Sequence, residues 1–151
     1  MLKTMKEKNH NHETLLNLVK TSTLISSLAS KFFSEFKINA AQFNILMTLN
    51  QFEEGLSQRD LSEKLILTKS NMVGLIDRLE ARKLVKRTMN TEDRRFNCIA
   101  LTEQGKVFLK SIETDYFAEV DALINNIEDK EKKVLNNSLT KISLYLTQKL
   151  N

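Results

Sequence analysis

The chain contains no proline and only three glycines in 151 residues, so little in it interrupts helices. It has no tryptophan and a single cysteine, Cys98. One cysteine cannot form an internal disulfide, and a reducing cytoplasm is the simplest expected home. No apolar run approaches the roughly 20 residues needed to span a bilayer, so no membrane partner is expected. Met1 to Asn9 is polar and lysine-rich, and lacks the apolar stretch of a secretory signal. There are two histidines, His10 and His12. Residues at i and i+2 do not share a helix face and no cysteine lies near them, so no metal site is expected there. No glycine-rich phosphate loop and no nucleophile–His–acid set can be assembled, so the chain is read as neither an enzyme nor a cofactor carrier.

What is present is an ordinary domain composition, 41% apolar and 28% charged, at a length sufficient for a sizeable core. A single domain over 1–151 is expected. Its charge is unevenly placed. All six arginines (Arg59, Arg78, Arg82, Arg87, Arg94 and Arg95) fall between Leu56 and Leu101, together with four lysines. Six acids oppose these ten cations, leaving +4, which is the formal excess of the whole chain; the remainder carries thirteen charges of each sign. A basic stretch of this kind is the electrostatic footprint of a nucleic-acid binder.

Along the chain the apolar spacing writes mostly helices. Leu15, Leu18, Val19, Ile25, Leu28, Phe32, Phe33 and Phe36 recur at steps of three and four, predicting a long helix over about 13–36 after a frayed lead-in. Asn39 followed by Gln42 resembles a capping box and starts a second helix with Phe43, Leu46, Met47 and Phe52 inward; Gly55 is placed at its left-handed cap. Ser57 and Asp60 start a short third helix closing near Leu65, and Ile66 and Leu67 make a turn. Thr68 caps a fourth helix to about Arg82. Met72 or Val73, then Ile76 and Leu79, face inward, which leaves Lys69, Ser70, Asn71 and Gly74 outward near the positive end of the helix. Leu84–Thr88 and Arg95–Leu101 read as strands around a polar turn carrying Asp93, Arg94 and Arg95. Thr102 caps a fifth helix that ends near Asn125-Asn126, and a last helix runs to the C-terminus.

The fold class is therefore mainly α with a small β-wing: a winged helix-turn-helix over about 38–101, flanked by long N- and C-terminal helices over 13–36 and 102–151. A small central module cannot cover three long apolar stripes. The surplus suggests a dimer interface built from both ends of the chain, with an intramolecular bundle as the alternative.

At this point the residues resemble the MarR family of bacterial transcription regulators. The matching pieces stand in family order: Gln42-Phe43-Asn44-Ile45-Leu46, Leu56-Ser57-Gln58-Arg59-Asp60-Leu61, Thr68-Lys69-Ser70-Asn71, Leu75-Ile76-Asp77-Arg78-Leu79-Glu80, Leu84-Val85-Lys86-Arg87, Asp93-Arg94-Arg95 and Leu101-Thr102-Glu103-Gln104-Gly105. The resemblance implies a triangular homodimer whose first and last two helices form the interface. Each fourth helix would enter a major groove and each wing an adjacent minor groove of a palindrome-like operator, with half-sites about one helical turn (~34 Å) apart. It implies that Asp93 braces Arg95 in the minor groove and that Arg94 meets phosphate. Two residues depart from the family pattern. Lys83 stands where many members have Gly, so the bend before the first wing strand is in question. Gly74 stands where many carry a polar residue, so Lys69, Ser70 and Asn71 must carry more of the base reading.

The candidate DNA-binding residues are Ser57, Gln58, Thr68, Lys69, Ser70, Asn71, Arg78, Arg87, Asp93, Arg94 and Arg95. For Arg94 and Arg95 the plain alternative is a solvated loop; for Ser70 and Asn71 it is ordinary helix surface. Asp77 and Arg78 are expected to support the module through a salt bridge or a backbone-facing contact. Cys98 alternates with Phe96 and Ala100 and is expected to be a small buried strand residue. Two functions remain open. The first is a dimeric, sequence-specific regulator, a repressor released from double-stranded DNA by a small-molecule effector. The second is an effector-independent architectural or protein-interaction helical protein that binds DNA.

Overall fold

The computed structural model describes residues 2–65, 68–89 and 97–150. Its elements run α1 (Leu2–Glu35), α2 (Ala40–Leu49), β1 (Leu56–Ser57), α3 (Gln58–Leu65), α4 (Lys69–Ala81), β2 (Val85–Met89), β3 (Asn97–Leu101), α5 (Glu103–Ile124) and α6 (Asp129–Leu150). The mainly α fold with a small β-wing is the one expected. No helix among the described residues is long and apolar enough to cross a membrane.

The first helix starts earlier than the periodicity predicts. α1 extends back to Leu2, so the expected frayed lead-in before Glu13 is helical. The apolar stripe begins only at Leu15, but the preceding residues include Leu, Met, Lys and Glu and no helix breaker. Straight side chains lose little freedom in a helix, and propensity carries the helix beyond the stripe.

α1 and α4 end in the same way. After α1, the N–H of Ile38 donates to the carbonyl of Phe33 at 3.2 Å and that of Lys37 to Ser34 at 3.0 Å. After α4, Leu84 donates to Leu79 at 3.0 Å and Lys83 to Glu80 at 2.8 Å. This nested pair of bonds is the Schellman ending, which needs a left-handed residue just past the helix. Glycine usually takes that place, but here Lys37 (φ 56) and Lys83 (φ 59) do. The bend before β2 therefore has the left-handed form that glycine would have made easy, despite the lysine.

α2 opens with the expected capping box. The N–H of Gln42 donates to Asn39 Oδ1 at 2.8 Å, and the N–H of Asn39 donates to Gln42 Oε1 at 3.0 Å. The helix stops at Leu49, short of Phe52, so Gly55 is not its cap. A run of turns follows instead, in which Phe52 bonds to Leu49 and Gly55 to Phe52. Gly55 does have a positive φ of 83°. It also has no room for a side chain, because a Cβ there would lie 2.4 Å from the carbonyl oxygen of Ile99. The close approach is explained by β1, an element too short to show as alternation. Leu56 pairs with Ile99 and Ser57 with Cys98, making a three-stranded antiparallel sheet in the order β1-β3-β2. In the wing, Val85 pairs with Leu101 and Arg87 with Ile99.

The chain divides into two compact units, 1–111 and 112–151, with the division inside α5. The core of the first unit joins Phe43, Ile45, Leu46 and Leu49 of α2 with Leu61 of α3 and Met72, Ile76 and Leu79 of α4, all fully buried. Leu84, Val85 and Ile99 bring the wing onto this core, and Cys98 is buried as expected. Thr102 caps α5 by accepting from the N–H of Gly105 at 2.9 Å, while its own hydroxyl donates to the carbonyl of Lys83 at 2.6 Å. In the second unit, α6 has no buried side chain. Its Val134, Leu135, Leu139, Ile142 and Leu146 are exposed, and so are Leu15, Leu16, Val19, Leu24, Ile25 and Leu28 of α1.

Candidate nucleic-acid interface

α4 is held by one face and free on the other. Met72, Leu75, Ile76 and Leu79 are buried, at the spacing of one helix side. Val73, left open as an alternative core residue, is exposed, and Met72 takes the inward place. Thr68, in extended conformation, accepts from the N–H of Asn71 at 3.4 Å and its Oγ1 lies 3.3 Å from Ser70 Oγ. Lys69 is the first residue of the helix. Ser70, Asn71, Asp77 and Arg78 are exposed. Space around Gly74 is empty, because a Cβ there would have no neighbour within 4 Å.

These residues share a surface with α2. Ala41, Ser70, Asn71, Gly74, Leu75 and Arg78 surround an open depression of about 360 Å³. A lining that includes Ala41, Ser70 and Gly74 together with the exposed Arg78 guanidinium suits the close approach of an anionic polymer.

Ser57 and Gln58 stand at the start of α3 rather than on this surface. The Ser57 hydroxyl accepts from the N–H of Asp60 at 3.1 Å and donates to its carboxylate at 2.7 Å, so it is first of all a helix cap. Gln58 is half-buried, and its carbonyl accepts from the Ser62 hydroxyl at 2.9 Å.

Arg87 is occupied within the module. From β2 its guanidinium donates to Asp77 Oδ1 at 2.5 Å and to the carboxylate of Glu80, both on α4. Its backbone N–H donates to Glu80 Oε1 at 3.2 Å. The hydrogen bond to Asp77, supported by the charges of Glu80 and Asp77, raises the Arg87 pKa further above its ordinary value against the effect of burial. The expected salt bridge of Asp77 is therefore present, with Arg87 as its partner. Arg59 likewise pairs with Glu63 at 2.8 Å. Asp93, Arg94 and Arg95 lie outside the described residues, as do Ile66 and Leu67.

Sequence reasoning gave no role to Arg82. Its guanidinium donates to the carbonyl of Lys37 at 2.7 Å and of Phe36 at 3.3 Å, and stacks 4.8 Å from the centre of the Phe108 ring. One side chain thus joins the end of α1, the end of α4 and the start of α5. Nothing local in the sequence signals bonds that span 45 residues. The basic stretch is accordingly less free than its formal charge suggests, because Arg59, Arg82 and Arg87 each have partners inside the chain.

Comparison with known proteins converges on one family. The sequence model of the MarR family matches residues 38–96. The chain is 29% identical over 138 residues to the HTH-type transcriptional repressor YetL of Bacillus subtilis, covering 88% of this chain and 83% of that protein. It is 32% identical over 114 residues to the HTH-type transcriptional regulator PrsX of Escherichia coli, covering 73% and 69%. Among solved structures, CouR from Rhodococcus jostii RHA1 bound to p-coumaroyl-CoA superposes with a TM-score of 0.76 at 26% identity, covering 83% of this chain and 87% of that one.

Proposed function

The chain belongs to the MarR family of DNA-binding transcriptional regulators, and from that premise we propose that it is a homodimeric, sequence-specific repressor released from its operator by a small molecule. The observation that carries this reading is the uncovered face of α4. Ser70, Asn71 and Arg78 are exposed around Gly74, which leaves the backbone free to approach base edges. Lys69, Ser70 and Asn71 read bases, Thr68 holds the helix start on phosphate, and Ser57 and Gln58 contact the backbone from the start of α3. Arg95 takes the wing into the minor groove, with Asp93 bracing it and Arg94 meeting phosphate.

Dimerisation is supported by the exposed apolar side chains of α1 and α6. Stripes of this extent call for a partner, and a second copy supplies the two-fold symmetry that a palindrome-like operator requires. The working division is then a DNA-binding module over about 38–101 and dimerisation helices on either side, in a protein that acts in the cytoplasm. The repressor name of YetL supports negative control, and the p-coumaroyl-CoA bound to CouR supports a small-molecule effector. An effector that prefers a dimer with wrongly spaced recognition helices must weaken DNA binding by the same coupling energy.

The test is fluorescence anisotropy on the DNA upstream of the protein's own gene against a shuffled duplex, at two salt concentrations, with sedimentation to report the oligomer. A dimer that prefers the native duplex at both salts supports the reading. Equal binding that collapses steeply with salt would reduce it to backbone contact. Arg95→Ala should weaken operator binding and leave the dimer intact; equal affinity would remove the wing from the mechanism.

A further inference from the structure

Val73 has no role in the core, and its place on α4 gives it another. Successive residues turn by about 100° around a helix. With Met72, Leu75, Ile76 and Leu79 facing in, Ser70, Gly74 and Asp77 face directly out. Asn71 and Arg78 occupy one flank, beside Ala41 in the open depression. Val73 and Glu80 occupy the other, and Glu80 is tied to Arg87 of β2. Val73 therefore stands on the wing side of the recognition helix, in its N-terminal half, with 41% of its surface exposed.

We infer that Val73 is a specificity-determining residue that recognises the 5-methyl group of a thymine in the major groove. This rests on the DNA-binding reading above. The methyl of thymine is the apolar feature that distinguishes base edges in that groove. A lone branched side chain among Ser70, Gly74 and Asp77 matches it in size and polarity. The β-branched side chain is held in one strongly preferred rotamer on a helix, so the contact is preorganised. Gly74 beside it adds no bulk to hold the helix away from the base edges. Asn71 on the opposite flank offers an amide suited to adenine, so the two flanks select different features of A·T pairs.

The experiment uses the full chain. A random duplex pool is first selected for binding, giving a preferred site. Each thymine of that site is then replaced by deoxyuridine, which removes only the methyl, and affinity is measured for the parent protein and for Val73→Ala. At one thymine per half-site, deoxyuridine should weaken parent binding about threefold to fivefold, the effect of losing one buried methyl contact. Val73→Ala should bind the thymine site correspondingly less well and be indifferent to deoxyuridine at that position alone. The inference is overturned if no thymine is sensitive, or if the sensitivity survives in Val73→Ala. If selection enriches no sequence, sequence-specific binding itself has failed, and this inference falls with it.

Discussion

The guanidinium of Arg82 stands 4.8 Å over the ring of Phe108. From the same position it donates to the carbonyls of Lys37 and Phe36, just past the end of α1. A planar guanidinium can stack and donate at once, which a lysine ammonium cannot do in the same geometry. Arg82→Ala should therefore cost about 1–2 kcal/mol of stability, from charged hydrogen bonds and a partly exposed cation–π contact. Arg82→Lys should recover less than half of that. Urea unfolding at fixed protein concentration reads both values; an unchanged midpoint in Arg82→Ala would make the stacking incidental.

Arg87 can influence DNA in two ways, as a direct phosphate contact or by neutralising Asp77 and Glu80 on the recognition helix. The single variant Arg87→Ala weakens binding in either case. The second route is the one expected, because the guanidinium is already engaged by two carboxylates. Adding Asp77→Asn to Arg87→Ala should then restore part of the affinity, since one uncompensated acid is gone. The stability coupling of Arg87 and Asp77 should be about 1 kcal/mol or less, as befits a partly exposed pair. Affinity that stays at the single-variant level in the double variant would favour direct contact.

Lys83 occupies a left-handed backbone position where an L side chain costs about 1–2 kcal/mol. Replacing it by glycine relieves that strain but adds about 0.5–1 kcal/mol of chain entropy to the unfolded state. Lys83→Gly should therefore be neutral to stabilising, by up to about 1.5 kcal/mol. The same holds for Lys37→Gly at the end of α1. Thermal unfolding decides it, and a clear loss of stability in both variants would show that the lysine side chains contribute more than the strain removes.

The elements legible in the sequence were those that carry their own signal. Asn39 and Gln42 announced the capping box, Thr68 the start of α4, and Thr102 the start of α5. What escaped was decided elsewhere in the chain. Gly55 looked like a helix cap because glycine suits one, yet its constraint is the carbonyl of Ile99 on β3. β1 has two residues and no period to read. By its sequence Arg87 reads as a DNA-contacting residue and Arg82 has no role, and only tertiary pairing shows that both are engaged within the chain. Met72 and Val73 were adjacent apolar residues of equal claim, and burial separates them.

Gly105 and Gly74 should respond to alanine in opposite ways. A Cβ on Gly105 would lie 2.0 Å from the carbonyl oxygen of Leu84, part of the bend that joins α4 to β2. Backbone cannot yield there without moving the start of α5, so Gly105→Ala should be destabilising by about 1–3 kcal/mol or more. Gly74 has open space around it. Inside a helix, alanine is favoured over glycine by about 0.8–1 kcal/mol, so Gly74→Ala should raise the unfolding midpoint. The added methyl would stand on the outward face of α4, where a base edge must approach. Stability and DNA affinity should thus move in opposite directions in one variant. Unfolding and anisotropy measured on the same Gly74→Ala sample test this. A more stable protein that binds with unchanged affinity would mean that the helix does not enter the groove at Gly74.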